Sequence, residues 1–227
     1  MIRCFTLRKR RTGARHSYLP LVSTIQFRGF NIWILNTCFL RVLHVVCAVA
    51  SRYHPNRPGL YEELTTYAQL AAGTALISGP KTVETVSAYI LLSLYPVPMR
   101  RWEEDRTWLY LGLAIRVATD LNLHHPPSVP LKDLNEVHAR ELLNRTRVWL
   151  NCYNLDRSTA SWHGKSSTID NNDYVATHIG EWYNSSQYNM ANFDIHLAAY
   201  NAELRKLGEF KKRIYGNPNN PTGLNKV

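Results

Sequence analysis

Cysteine is scarce in this chain, and its spacing is wrong for chemistry. Cys4, Cys38, Cys47 and Cys152 are the only four in 227 residues, and no two stand as C-x-x-C. A zinc cluster needs several thiolates brought together by short loops, so local sequence builds none here. A chain of this length buries a core without staples, and the simplest reading is inert thiols in a reducing compartment. Acid is missing from the first part of the chain. Ten bases precede the first carboxylate, Glu62, whereas the seventeen bases from residue 61 onward face seventeen acids. The net charge of +10 therefore belongs to the N-terminal part, and the bulk of the chain is not a general phosphate-binding surface.

Nucleotide and hydrolase signatures are also absent. There is no G-x-G-x-x-G, and Gly164-Lys165-Ser166 lacks the upstream glycine and strand of a phosphate loop. No G-x-S-x-G elbow supports Ser161, His163 and Asp170 as a hydrolytic set, and their closeness in sequence says little about closeness in space. An uninterrupted apolar span is missing as well. Residues 30–50 could cross ~30 Å of hydrocarbon, but Arg41 falls near their centre. A central arginine costs roughly 2.5–3.5 kcal/mol on insertion scales, and Asn31 and Asn36 add to it.

What is present is helical periodicity with firm punctuation. The spacing predicts helices over about Phe39–Ser51, Leu60–Ser78 and Thr82–Tyr95, separated by Pro55, Pro58, Gly79-Pro80, Pro96 and Pro98. A fourth helix follows Asp105 as N-cap, with one row through Leu109, Leu113, Val117 and Leu121 and another through Trp108, Leu111, Ile115 and Ala118. It is apolar on most faces, hence central, and Pro126-Pro127 stops it. A fifth helix runs from Leu134 or Asn135 to about Ala160, its inner stripe including Val137, Leu142, Val148, Trp149, Cys152, Tyr153 and Leu155. After a polar, irregular stretch, Phe193–Ile214 returns to helical periodicity. No strand pattern of useful length occurs, so the expected class is all-α.

The charged and polar candidates have plain readings. His124 and His125 close the fourth helix, where histidine suits the helix dipole, and no ligand stands at i, i+4 beside them. Arg116 and Asp120 interrupt an apolar helix, and Asp156-Arg157 interrupt the next. A buried charge needs a partner, so Arg116 or Arg147 is expected to pair with Asp156. Arg8, Lys9, Arg10 and Arg11 form a short basic cluster, readable as a nuclear address, a phosphate contact or a solvated tail.

The order of four stretches goes further than any single motif. "CAVASRYH" (47–54), "YILLSLYPVPMRRWEEDRTWLYLGLAIRVATDLNLHHPP" (89–127), "ELLNRTRVWLNCYNLDRSTASWHGKSSTI" (141–169) and "YGNPNNPTGLNK" (215–226) together resemble the regulatory middle homology region of fungal zinc-cluster transcription factors. The resemblance covers roughly 43–227. It is sharpest in W-x-Y-L-G-x-A-I-R-x-A-x-D-L-x-L-H and in R-x-W-x-x-x-Y-x-L-D-R followed by G-K. It implies an all-α, multi-helix regulatory domain, incomplete at its C-terminus, in a nuclear DNA-bound regulator. In that family the domain follows a separate zinc-cluster module, modulates activity and target choice, and in some members senses small molecules.

No catalytic, cofactor-binding or metal residues come with the resemblance. Trp108, Arg116, Asp120, His124, Arg147, Trp149, Asp156, Arg157, Gly164 and Lys165 carry over as framework signatures only. Zinc is expected only in the module that this sequence lacks, so DNA is an indirect partner. Regulatory proteins of the transcription machinery, or a small-molecule effector, are the expected direct ones. Residues 1–40 match nothing in the resemblance and are expected to be an atypical basic segment, disordered or a gene-model artefact. Residues 41–214 form the regulatory domain and 215–227 a turn-rich tail. Two alternatives stand beside this reading. One is a stand-alone helical small-molecule binder with a cavity lined by Trp108, Trp149 or Tyr153. The other is a membrane anchor through residues 30–50.

Overall fold

The computed structural model describes residues 32–216, apart from 55, 56, 58, 128, 132 and 133. The basic cluster Arg8–Arg11, most of the segment 1–40 and residues 217–227 of the tail lie outside the described residues. Contacts divide the chain into two units, Met1–Ile34 and Leu35–Val227; of the first, only residues 32–34 are described, and they are helical. Among the described residues there are eight α-helices, one 3-10 turn and no strand, which is the expected all-α class.

The first helix, α1, covers Ile32–Ser51, starting earlier than the sequence period suggests and contributing Val45 and Ala48 to the core. No helix among the described residues is long and apolar enough to cross a membrane. Helix α2 is Leu60–Ser78, with Glu62 and Glu63 in its first turn, where carboxylates complement the helix dipole. Its buried face is Tyr61, Thr65, Ala68, Ala72 and Ala75. The apolar Leu60, Leu64, Tyr67, Leu70 and Ala71 also step at helical spacing, yet of these Tyr67 and Leu70 stand exposed. The small side chains of the true inner face let α3 (Val83–Leu94) approach, and the Tyr89 hydroxyl donates to the Ala72 carbonyl at 2.8 Å. The Tyr61 hydroxyl reaches the Tyr95 carbonyl at 3.1 Å, so the start of α2 meets the end of α3 in an antiparallel hairpin. Thr82 caps α3, its side chain accepting the Thr85 N–H.

A 3-10 turn at Trp102–Glu104 leads into α4, Thr107–Asp120. Arg106 occupies the N-cap position that the sequence assigns to Asp105. Asp105 sits one residue earlier, and its carboxylate accepts the Thr107 N–H at 2.8 Å and the Thr107 hydroxyl at 2.6 Å. Those bonds, the hydroxyl first, hold its carboxyl below the usual range. The inner face of α4 is Leu111, Ala114, Ile115, Val117 and Ala118, while Leu109 is half exposed to solvent. Asn122 ends the helix in the left-handed region, φ 55°, and the buried Leu123 donates its N–H to the Ala118 carbonyl at 3.1 Å.

Helix α5, Glu136–His163, is the longest and is capped by the Asn135 side chain accepting from the His138 N–H. Val137 is 72% exposed, against the expected inner stripe, because the buried face starts at Ala139 and Leu143. Two one-turn helices, α6 (Tyr174–Thr177) and α7 (Ile179–Trp182), lie in the polar stretch where no helix is expected from periodicity. Helix α8, Ala191–Tyr215, packs along α5. The core joins Val86, Tyr89, Leu111, Leu150, Cys152 and Tyr153 with residues from the other elements. Burial pushes the Cys152 thiol up to about 12, with the Asp156 carboxylate acting in the same direction, so it is inert.

Candidate functional site

Two adjacent residues on α5 hold the return loop that builds the site. Gly164 leaves α5 in the left-handed region, φ 63°, and the Lys165 N–H caps the Ala160 carbonyl at 2.9 Å. The Asp156 carboxylate then accepts the N–H groups of Thr168 at 2.7 Å and Ile169 at 2.8 Å through one oxygen. The Arg157 guanidinium donates to the carbonyls of Ile169 at 3.1 Å and Asp170 at 2.9 Å, and to the side chains of Ser167 and Asn171. Neighbouring opposite charges thus satisfy both donors and acceptors of one loop. Burial, the largest influence, pushes the Asp156 carboxyl up, and the two backbone N–H groups pull it back only in part.

The expected pairing of Arg116 or Arg147 with Asp156 is not what the structure contains. Arg116 is exposed. Arg147 stands nine residues before Asp156 on the same helix, and at 3.6 residues per turn the two face opposite sides. The partner of Arg147 is Asp194 on α8, through Nε at 2.7 Å and Nη2 at 2.9 Å, a bidentate pair whose carboxylate is wholly buried. Asn189 Nδ2 and the Met190 N–H also donate to Asp194, at 3.0 and 2.9 Å. Burial alone would raise this carboxyl; the bonds from Arg147, Asn189 and Met190 outweigh it and leave it lowered.

A second polar pair lies beyond the first. Asn201 Nδ2 donates to Asn154 Oδ1 at 3.0 Å, both residues being buried. Arg147 to Asn154 and Asp194 to Asn201 are each seven residues, so α5 and α8 run parallel with polar contacts every two turns. Sequence reasoning missed Asp194, Asn154 and Asn201. The signal was the repeat itself, R-x6-N on one helix and D-x6-N on the other.

The clamped loop closes one wall of a cavity of about 300 Å³ against α4 and α5. Ile115, Ile169 and Trp149 supply apolar surface, with Thr119, His124 and Asp173 as polar groups and Arg116 at the edge. Asp173 also accepts the Trp149 indole N–H at 3.1 Å, which fixes the ring plane. The His124 ring lies 3.9 Å from that of His125 and 5.7 Å from that of Trp149, centroid to centroid. Burial first, then His125, holds His124 below its usual range, so its imidazole is neutral near neutral pH. Its Nδ1 is buried and has no hydrogen-bond partner. A void of only about 20 Å³ touches Trp108, Gly112 and Asp156 alongside. Tyr153, the third aromatic expected at a cavity, is sealed in the core with Arg157 4.1 Å over its ring.

The geometry brings Arg116, His124 and Trp149 to one cavity, and Asp156, Arg157 and Gly164 to the loop that forms its wall. Trp108 stands apart, edge-on to His163 with Lys165 over its face at 5.0 Å. Asp120 is an exposed ion-pair partner of Lys81. Among the described residues no three potential ligands converge on a metal site. Ser161, His163 and Asp170 make no hydrogen bond to one another: Ser161 meets Lys211, and Asp170 accepts from the Asn172 N–H. The arrangement offers an open recess of mixed polarity to a small molecule, and its lining residues present no nucleophile beside a base.

Comparison with known proteins bears directly on this geometry. The model of the family described as fungal specific transcription factor domain matches residues 16–177, which include α1 to α6 and the whole cavity. The match starts upstream of residue 43, where the resemblance begins in the sequence. The chain is 28% identical over 128 residues to the C6 finger domain transcription factor hasF of Aspergillus fumigatus, covering 56% of this chain and 16% of that protein. It is 29% identical over 139 residues to the TY1 enhancer activator of Saccharomyces cerevisiae, covering 58% and 18%. It is also 29% identical over 134 residues to transcriptional regulatory protein SEF1 of Candida albicans, covering 57% and 14%. The aligned regions thus make up less than a fifth of these relatives' length. No solved structure matches the chain.

Proposed function

The chain belongs to the fungal specific transcription factor domain family, and from that premise we propose that it is the regulatory part of a nuclear transcription factor, acting through protein or small-molecule contacts. The family match over residues 16–177 carries this reading. The signature residues support it, because Arg147, Asp156, Arg157 and Gly164 build framework and none stands in a catalytic arrangement. DNA contact and zinc belong, in this reading, to a separate cysteine-rich module, and the absence of any C-x-x-C spacing among the four cysteines supports it. The cavity beside His124 and Trp149 is the effector site in this reading. Its volume falls at the lower end of the range for small-molecule pockets, and Trp149, Thr119 and Asp173 give it apolar and polar lining. Arg8–Arg11 is the proposed nuclear address.

The test is a fusion of the full chain to a heterologous DNA-binding module in a reporter strain. Reporter output should differ from that of the module alone, and a Trp149→Ala, His124→Ala variant should shift it again. Output identical to the bare module, with the fusion shown to be nuclear and folded, overturns the reading.

A further inference from the structure

We propose that the cleft between the C-terminal ends of α5 and α8 binds the phosphoryl group of a small phosphorylated molecule. The cleft is the third step of the ladder between these helices. Arg147–Asp194 and Asn154–Asn201 are the first two, and seven residues further on come Ser161 and Gly208. Here the large polar side chains stop and a space of about 300 Å³ opens, with both residues in its wall. Gly208 lies in the interior of a 25-residue helix, where glycine costs roughly 1 kcal/mol against alanine. Packing does not demand it: an added Cβ would meet only Asn171 Oδ1, at 3.9 Å. The glycine keeps the wall recessed.

The charge around this space is of one sign. Arg157, Lys165, Lys211 and Lys212 line it, and among the described residues no carboxylate does. None of the four forms an ion pair among the described residues. A helix C-terminus attracts lysine through its dipole, which accounts for Lys212 in the last turn of α8. It does not account for Arg157, which is buried six residues inside the end of α5 and hydrogen-bonded only to neutral groups. No carboxylate bonds it: the neighbouring Asp156, engaged with the Thr168 and Ile169 N–H groups, offsets its charge only through space, and the guanidinium lies beside a concave surface. Lys165 holds its ammonium 5.0 Å from the Trp108 ring and has the stem length to turn toward the mouth.

The neutral lining completes the match. Ser161, Ser166 and Ser167 present hydroxyls, the donors that bond phosphoryl oxygens alongside cations. A monocarboxylate would leave most of this positive charge unbalanced, whereas a phosphate dianion with three free oxygens uses both charge and hydroxyls. The apolar Ala160 and Leu204 and the Tyr215 ring leave a surface for an organic remainder. The space of about 300 Å³ is of small-molecule size, too small to seat a duplex. The site lies beyond the cavity at His124 and does not depend on the transcriptional reading.

The experiment is thermal melting of the full chain at constant ionic strength with inorganic phosphate, pyrophosphate and glucose 6-phosphate, against chloride and sulfate. A saturable rise in Tm, on the order of 5 °C at ligand far above Kd, is expected with phosphate compounds and not with chloride or sulfate. A larger shift from glucose 6-phosphate than from inorganic phosphate identifies an organic phosphate as the natural class; the reverse identifies free phosphate. The shift should vanish in a Lys211→Glu, Lys212→Glu variant, measured against that variant's own melting without phosphate, and Lys211→Ala alone carries the comparison should the double variant not fold. An equal shift with sulfate, the same shift in the variants, or displacement of the phosphate by duplex DNA overturns the proposal.

Discussion

Arg147 and Asp194 set the largest single-residue stakes in the molecule. The pair is buried and bidentate, and Asp194 accepts four hydrogen bonds in all. Removing the cation leaves a carboxylate without its charge partner in a wholly buried site. Arg147→Ala should therefore cost about 3–5 kcal/mol at neutral pH, read as the shift in urea midpoint. The cost should depend on pH. Asp194 is held below its ordinary range, so the wild-type pair contributes fully above the unfolded-state pKa of about 3.9 and loses that contribution as pH falls through the folded-state value. The gap between wild type and Arg147→Ala should narrow in acid; a gap constant from neutral pH to pH 3 would show that lost packing, not charge, carries it. This partner was not legible from the neighbourhood of Arg147 because the chain separates the two by 47 residues. Helix geometry alone excludes Asp156 as that partner, since nine residues on one helix point two side chains apart.

At the scale of elements, stops were read more securely than faces. Proline and glycine act through local sterics, so the bounds of α2 and α3 follow from Gly59, Thr82 and Gly79-Pro80 without tertiary knowledge. Faces are chosen by neighbours. The exposed Tyr67 and Leu70 of α2 and Val137 of α5 fit a helical period as well as the residues that are buried. Helices α6 and α7 are too short, at four residues each, for periodicity to register, and α6 starts on the Asp173 cap, which accepts the Ala176 N–H at 2.9 Å. The turn at Gly164 offers a local test of the site's wall. Its φ of 63° is available to glycine without penalty and costs an alanine roughly 1 kcal/mol. Gly164→Ala should lower stability by about that amount and loosen the loop clamped by Asp156 and Arg157, which hydrogen exchange at the Thr168 and Ile169 amides would report as faster opening. Unchanged protection there would mean that the clamp holds the loop without the turn.

Over the whole molecule, charge and fold separate along the chain. The +10 of the sequence is concentrated before residue 61, while the earliest fully buried core side chain among those described is Val45. Contacts likewise group Leu35–Val227 as one unit. The family match begins at residue 16, so part of the segment before α1 has a counterpart in the family. These observations make different demands on a chain that begins at Ile32. Such a chain loses seven bases and no acid, taking the net charge from +10 to +3. If the core starts with α1, its melting should stay cooperative and within about 3 °C of the full chain, a change below 1 kcal/mol for a domain of this size. Its retention on duplex DNA at low salt should fall sharply, because non-specific binding scales with the phosphates that clustered bases neutralise. The cleft between α5 and α8 keeps its four cations in the shortened chain, so a phosphate-dependent rise in Tm should survive where DNA retention does not. Loss of the cooperative transition on removing residues 1–31 would instead make the N-terminal segment part of the folding unit, as its place in the family match suggests.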